Sequence, residues 1–214
     1  MCTQAAIRVL KGIINERVKK GLGKTLPELP PNPRIRPTDQ MAIIRLDEGE
    51  WLAEGRSWKL IPHWVKERDL EKWKSYSTWN ARDDELTTKP SWREPFKTKR
   101  CLLVMEGFYE KKHFFTNSDS NEMVVAAGLY DDCHGTEMEI HSCTMITTEP
   151  NDLIVELHHR MPALLAPESW DIWLSQDTPK ERLLGLLGPC PGDWLKAASG
   201  LTATNSRTSL VTLR

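Results

Sequence analysis

The sequence predicts an α+β fold built on a mostly antiparallel β-sheet with peripheral helices. Three observations carry this. Short apolar runs outnumber helical patterns, they are separated by turn-forming clusters, and no βαβ alternation or internal repeat links them. With 214 residues, 39% hydrophobic and 28% charged, the chain has the balance of one ordinary globular domain spanning 1–214.

Residues 4–20 place Ile7, Leu10, Ile13, Ile14 and Val18 at helical spacing, ended by Gly21 and Gly23, and predict a helix. Such a helix would hold Cys2 at its N-terminus, where the dipole favours a thiolate. Five prolines between Leu26 and Pro37 predict an irregular loop. Met41–Leu46 and Trp51–Trp58 bracket Asp47-Glu48-Gly49-Glu50, which reads as a hairpin. A charged helical stretch over 65–75 follows, then Trp79-Asn80-Ala81-Arg82 and a loop carrying Pro90 and Pro95. Cys101–Met105 reads as a buried strand leading into Glu106-Gly107-Phe108-Tyr109-Glu110. Residues 122–130 and 139–147 predict a second hairpin, 151–157 a helical segment, and 167–187 one or two amphipathic helices.

The formal net charge of −1 announces no global basic field, so any nucleic-acid surface must be a local patch. No apolar run approaches the about 20 residues of a membrane span, and the opening segment lacks the pattern of a signal peptide. Both point to a cytoplasmic protein without membrane attachment. Five cysteines at irregular spacing predict reduced thiols rather than a disulfide framework. Cys133, His134, His141 and Cys143 flank a turn, yet their spacing matches no common zinc pattern, so no metal is expected. A Gly-rich phosphate loop and a GxSxG elbow are both missing.

Several residues carry chemistry. Removal of Met1 would leave Cys2 with a free α-amine and a thiol, whose ordinary pKa values of about 7.7–8 and about 8.5 leave both partly reactive near neutral pH. An aldehyde can condense with that amine and close through sulfur to a thiazolidine. Glu110 ends an apolar strand behind two aromatics, where desolvation would raise its carboxyl toward general-acid use. Taken alone, the position reads more readily as a solvated strand end paired with Lys111 or Lys112. His158-His159-Arg160 offers two imidazoles and a guanidinium, and in an extended segment only one histidine would face a given site. Among nine tryptophans, Trp64 beside Pro62 and His63 is the candidate stacking platform for an unstacked base.

Met1-Cys2, Pro37 in RIRPTDQ, WKLIPHW at 58–64, Asn80-Ala81-Arg82, EGFYE at 106–110, ITTEPND at 146–152 and HHRMP at 158–162 occur in the order and approximate spacing of one family. Together they resemble the SOS response-associated peptidases. The resemblance covers residues 2–170 and is weak over 195–214. It implies a β-sheet pseudo-barrel, and a protein that binds single-stranded DNA and traps abasic sites covalently through Cys2 in the DNA damage response. By position, Cys2 resembles the nucleophile, Asn80 the residue that orients it, Glu110 the proton shuttle and His158 the histidine assisting Schiff-base and ring-opening steps. Arg82, Pro37, Trp64 and Thr147, with Arg160, fall where the family contacts the DNA strand. Thr3-Gln4, Asp84, Lys111 and His159 depart from the usual pattern. The implied protein is a monomer that crosslinks or cleaves abasic DNA, processes its own N-terminus as a cysteine peptidase, and needs no cofactor. It would lie with the nucleoid or, in a eukaryote, in the nucleus. A cysteine-type hydrolase and a non-catalytic single-strand-binding module are the alternatives.

Overall fold

The computed structural model describes residues 4–7 and 32–198. Its strands are β1 (Gln4–Ile7), β2 (Asn32–Ile35), β3 (Gln40–Asp47), β4 (Glu50–Trp58), β5 (Asn80–Arg82) and β6 (Arg100–Met105), followed by β7 (Gly107–Glu110), β8 (His113–Asn117), β9 (Val124–Cys133), β10 (Ile140–Thr148), β11 (Met161–Pro162) and β12 (Leu195–Ala198). The described helices are α1 (Glu67–Lys74), α2 (Pro90–Thr98), α3 (Trp170–Leu174) and α4 (Lys180–Gly185).

The predicted first hairpin forms as read. Glu48 (φ 48°) and Gly49 (φ 86°) are both left-handed between the paired Asp47 and Glu50, the two-residue geometry that matches strand twist. From this hairpin the sheet runs β10-β4-β3-β6-β9, and β9 pairs again with β10 from Ile140↔Cys133 to Met145↔Gly128. Five strands therefore close into the expected pseudo-barrel, with β4 joined to β10 only through its last two residues. Only the short β4–β10 contact, Ser142↔Ser57 and Cys143↔Trp58, is parallel within the ring. All six residues of β6 are buried because one face fills the barrel while α2 and α3 cover the other, which explains its continuous apolar run.

The second sheet has the order β12-β8-β7-β1-β2. Gly107 is required here by close approach, since a Cβ at this position would lie 2.2 Å from the Phe115 carbonyl oxygen of β8. The backbone N–H of Glu106 donates to Ala6 O at 2.7 Å, joining this sheet to the end of β6.

Four local expectations change. Residues 4–7 form strand β1, not the start of a helix, because Gln4, Ala5 and Ala6 pair with Tyr109, Phe108 and Gly107; the rest of the predicted helix lies outside the described residues. Within the proline-rich stretch, Asn32–Ile35 is an edge strand, where Pro33 has no central ladder to interrupt. The loop predicted around Pro90 and Pro95 is helix α2: Pro90 sits in the first turn, where its missing donor costs nothing, and burial of Trp92 and Phe96 outweighs the single bond lost at Pro95. Residues 151–157 form hydrogen-bonded turns centred on Asn151 and Ile154 instead of a regular helix.

Candidate functional site

Strand β10 outruns the barrel. Its first half is held between β4 and β9; its second half carries β5 on one side, through Met145↔Asn80, Ile146↔Ala81 and Thr147↔Arg82, and β11 on the other, through Thr147↔Pro162 and Thr148↔Met161. One strand thus aligns the Asn80-Ala81-Arg82 and His158–Pro162 motifs, which are far apart in sequence. Asn80 is buried at the start of β5.

Glu110 is the last residue of β7 and only 6% exposed, which removes the reading as a solvated strand end. Burial pushes its carboxyl up, against the pull of Lys111 and His159. Cys2 lies outside the described residues. Gln4, two residues later in sequence, pairs with Tyr109 immediately before Glu110, and two residues of chain reach at most about 7 Å.

The imidazoles of His158 and His159 stack, with ring centroids 4.2 Å apart and planes inclined by 25°. The alternation expected of an extended segment fails because the chain bends at His159 after the preceding turns. His158 Nδ1 lies 3.0 Å from the Arg160 backbone nitrogen and 3.2 Å from the Arg160 carbonyl oxygen, so the Arg160 backbone anchors this edge of the ring in either tautomer. Burial, with neighbouring positive charge from His159 and Lys111, pushes the His158 pKa down. A carboxyl raised and an imidazole lowered, sharing Lys111 and His159 as neighbours, have affinities for a proton that converge.

The remaining candidates divide by exposure. Arg82 is exposed and grips Asp84 with two contacts, Nε to Oδ1 at 3.0 Å and Nη2 to Oδ2 at 2.7 Å; that guanidinium holds the Asp84 carboxyl below its usual range. Trp64 is 46% exposed and packs edge-on against Trp73. Pro37 is half-buried in the turn closed by Asp39 N–H to Arg36 O at 2.9 Å. Thr147 is fully buried, its hydroxyl donating to Ala81 O at 3.3 Å, so its side chain presents nothing to a passing strand. Arg160 is also buried, and its Nη2 contacts Asp83 and the Thr147 carbonyl. Its Nε, also buried, has no hydrogen-bond partner among the described residues. Arg82, Asp83, Thr148 and Arg160 line a cleft of about 470 Å³ together with Leu184 and Leu187.

Asp83 is the organising residue that sequence reasoning missed. It accepts from Arg160 Nη2 and from Thr148 Oγ1 at 2.7 Å, locking three motifs together. Its place directly after Asn80-Ala81-Arg82 was the available signal. Among the described residues no group of histidines, cysteines and carboxylates is arranged to hold a metal ion, and no helix is long and apolar enough to cross a membrane.

Raised by burial, the Glu110 carboxyl binds its proton more tightly folded than unfolded. Its favourable contribution is therefore present at low pH and lost as pH rises through the folded-state value. Glu110→Gln should raise the melting temperature at pH 8 and give no gain at pH 4. Equal shifts at both pH values would show that burial does not set this carboxyl.

The chain is similar to proteins of known family. It is 31% identical over 189 residues to the abasic site processing protein YoqW of Bacillus subtilis, covering 84% of this chain and 83% of that protein. It is 32% identical over 190 residues to the abasic site processing protein YoaM of the same organism, covering 84% and 82%. A crystal structure of a protein from Bacteroides thetaiotaomicron superposes with a TM-score of 0.77 at 25% identity, covering 92% of this chain and 90% of that one. With the family model matched over residues 1–206, the chain belongs to the SOS response associated peptidase (SRAP) family.

Proposed function

We propose that this protein acts in the DNA damage response by binding single-stranded DNA and capturing abasic sites covalently through Cys2 once Met1 has been removed. The observation that carries this is the buried carboxyl of Glu110, its pKa raised by desolvation, one residue along β7 from the strand partner of Gln4 and thus at the tether of Cys2. The names of the relatives supply the substrate class.

An abasic sugar in its open form is an aldehyde. The Cys2 amine adds to its carbonyl carbon, and the carbinolamine loses water to give a Schiff base. The thiol sulfur then adds to the C=N carbon while its proton passes to nitrogen. Amine plus aldehyde plus thiol yields thiazolidine plus one water, with no redox change. Glu110, as carboxylate, is suited to take the proton that nitrogen sheds as the free amine adds, and to return it to the departing hydroxyl. Buried Asn80 is assigned to holding the amine in line, and His158 to the sugar oxygen. The same Schiff base, left unclosed, is the branch point from which β-elimination would cleave the strand. The site acts on the DNA as a monomer and needs no cofactor for these steps.

The test is intact mass after incubation with a single-stranded oligonucleotide bearing one abasic site. A species at protein plus oligonucleotide minus one water is expected, and none with a borohydride-reduced abasic site, which has no aldehyde. Failure to form that species with processed protein would remove the proposal. Glu110→Gln should slow its formation by about 10²-fold, at the lower end of acid–base contributions. An unchanged rate would take Glu110 out of the proton path.

Release should also depend on pH. With the His158 pKa depressed, the imidazolium is scarce at neutral pH, so transfer to a fresh competitor strand should accelerate below the ordinary histidine range. His158→Ala should remove that acceleration; an identical pH profile would exclude His158 from release.

A further inference from the structure

Four exposed cations without a carboxylate partner gather at one corner of the described surface, while Lys66, Lys72 and Arg182, which also form no ion pair among the described residues, stand elsewhere. Arg34 and Arg36, on and just beyond β2, and Lys111 and Lys112, at the β7–β8 turn, are all exposed, and none forms an ion pair with a carboxylate among the described residues. Arg82, Lys89 and Lys97, by contrast, are neutralised, by Asp84 at 2.7 Å, by Glu85 at 2.8 Å and by Glu94 at 3.0 Å. In a chain of net charge −1, such a corner is the local patch that an anionic polymer would find.

The two arginines are also placed. Ile35 between them is fully buried, so strand alternation turns Arg34 and Arg36 to the opposite, solvent-facing side. The Arg34 guanidinium lies 5.3 Å over the Tyr109 ring, and Tyr109 is the strand partner of Gln4. One residue beyond the Ala5↔Ile35 pair stand Gln4 and Arg36, so both cations flank the end of β1 nearest Cys2 in sequence. Tyr109 and Glu110, adjacent on β7, face opposite sides of the sheet, as the half-buried Tyr109 and buried Glu110 show. The cations therefore lie around the corner from the reacting groups.

We propose that Arg34 and Arg36 form a phosphate rail that grips the single-stranded DNA backbone flanking the captured nucleotide. This rests on the function proposed above and adds the path of the strand away from the lesion. Stacking on Tyr109 holds Arg34 without neutralising it, leaving its donors to bridge phosphate oxygens. Being on the far face from Glu110, the rail contributes affinity and register but not chemistry. Cations on an edge strand also guard against edge-to-edge association, which would require no contact with DNA.

The experiment measures noncovalent binding of an unmodified single-stranded oligonucleotide over a series of salt concentrations. The double substitution Arg34→Gln and Arg36→Gln should reduce the slope of log Kobs against log salt by about 1.4, two contacts at about 0.7 each. The corresponding lysine pair should retain the slope, separating charge from folding. The rate of adduct formation at saturating abasic oligonucleotide should not change. Lys89→Gln, removing a compensated cation, should leave the slope as in the parent. An unchanged slope in the glutamine pair, with the parent binding normally, overturns the rail alone. A parent that binds no single strand but still forms adduct also overturns the rail, whereas a parent that does neither overturns the proposed function.

Discussion

Replacing Cys2 with serine should abolish the heat-stable adduct with abasic DNA while leaving noncovalent single-strand binding nearly intact. The serine variant keeps the α-amine, so it can still form a Schiff base. What it loses is the sulfur that closes the ring. A thiol with an ordinary pKa of about 8.5 supplies a few per cent of thiolate at neutral pH, whereas a hydroxyl supplies essentially none. The serine complex should therefore hydrolyse on heating, and should survive only if borohydride reduces the C=N bond first. Equal heat-stable yields from the parent and Cys2→Ser, without reductant, would show that sulfur does not form the lasting bond. Because noncovalent affinity is assigned elsewhere, a matched loss of binding would instead mean that the substitution disturbs the strand-binding surface.

The largest effect expected on stability is at Arg100. This side chain is 2% exposed and donates to four backbone carbonyls: Trp173 O at 2.8 Å, Ser175 O at 2.7 Å, Phe96 O at 2.8 Å and Lys97 O. Those carbonyls belong to the ends of α2 and α3 and the residue following α3, where helix carbonyls lack partners of their own and a cation complements the dipole. Arg100→Leu keeps the apolar stem but strands several acceptors. Loss of charge-assisted bonds and desolvation of orphaned carbonyls together should cost on the order of 3–5 kcal/mol. At about 2–4 °C per kcal/mol for a chain of this size, the melting temperature should fall by roughly 10 °C. Arg100→Lys should recover only part of this, because an ammonium cannot reach four acceptors in the plane that a guanidinium fork serves. A melting temperature within a degree or two of the parent for Arg100→Leu would show that the carbonyls find water or other donors, and that the network is not what fastens these helices to the barrel.

The sequence by itself determined those features that depend on neighbours along the chain. Asp47-Glu48-Gly49-Glu50 made a two-residue turn because left-handed backbone is cheap at glycine, and that turn set the register of β3 against β4. The apolar run 101–105 became a barrel strand, and the order of the motifs along the chain is that of its family. Tertiary structure alone decided the rest. Helical spacing in residues 4–20 gave way at Gln4–Ile7, because the exposed edge of β7 offered a ladder of partners that local propensity could not register. Asp83 acquired its role from Arg160 and Thr148, both far along the chain. Glu110 reads as an ordinary strand-end carboxylate until burial raises its proton affinity, and His158 as an ordinary histidine until burial and neighbouring positive charge lower its pKa and its ring stacks on His159. Turn geometry and periodicity are properties of adjacent residues and can be read along a line. Desolvation, electrostatic coupling and barrel closure depend on what the fold brings from elsewhere.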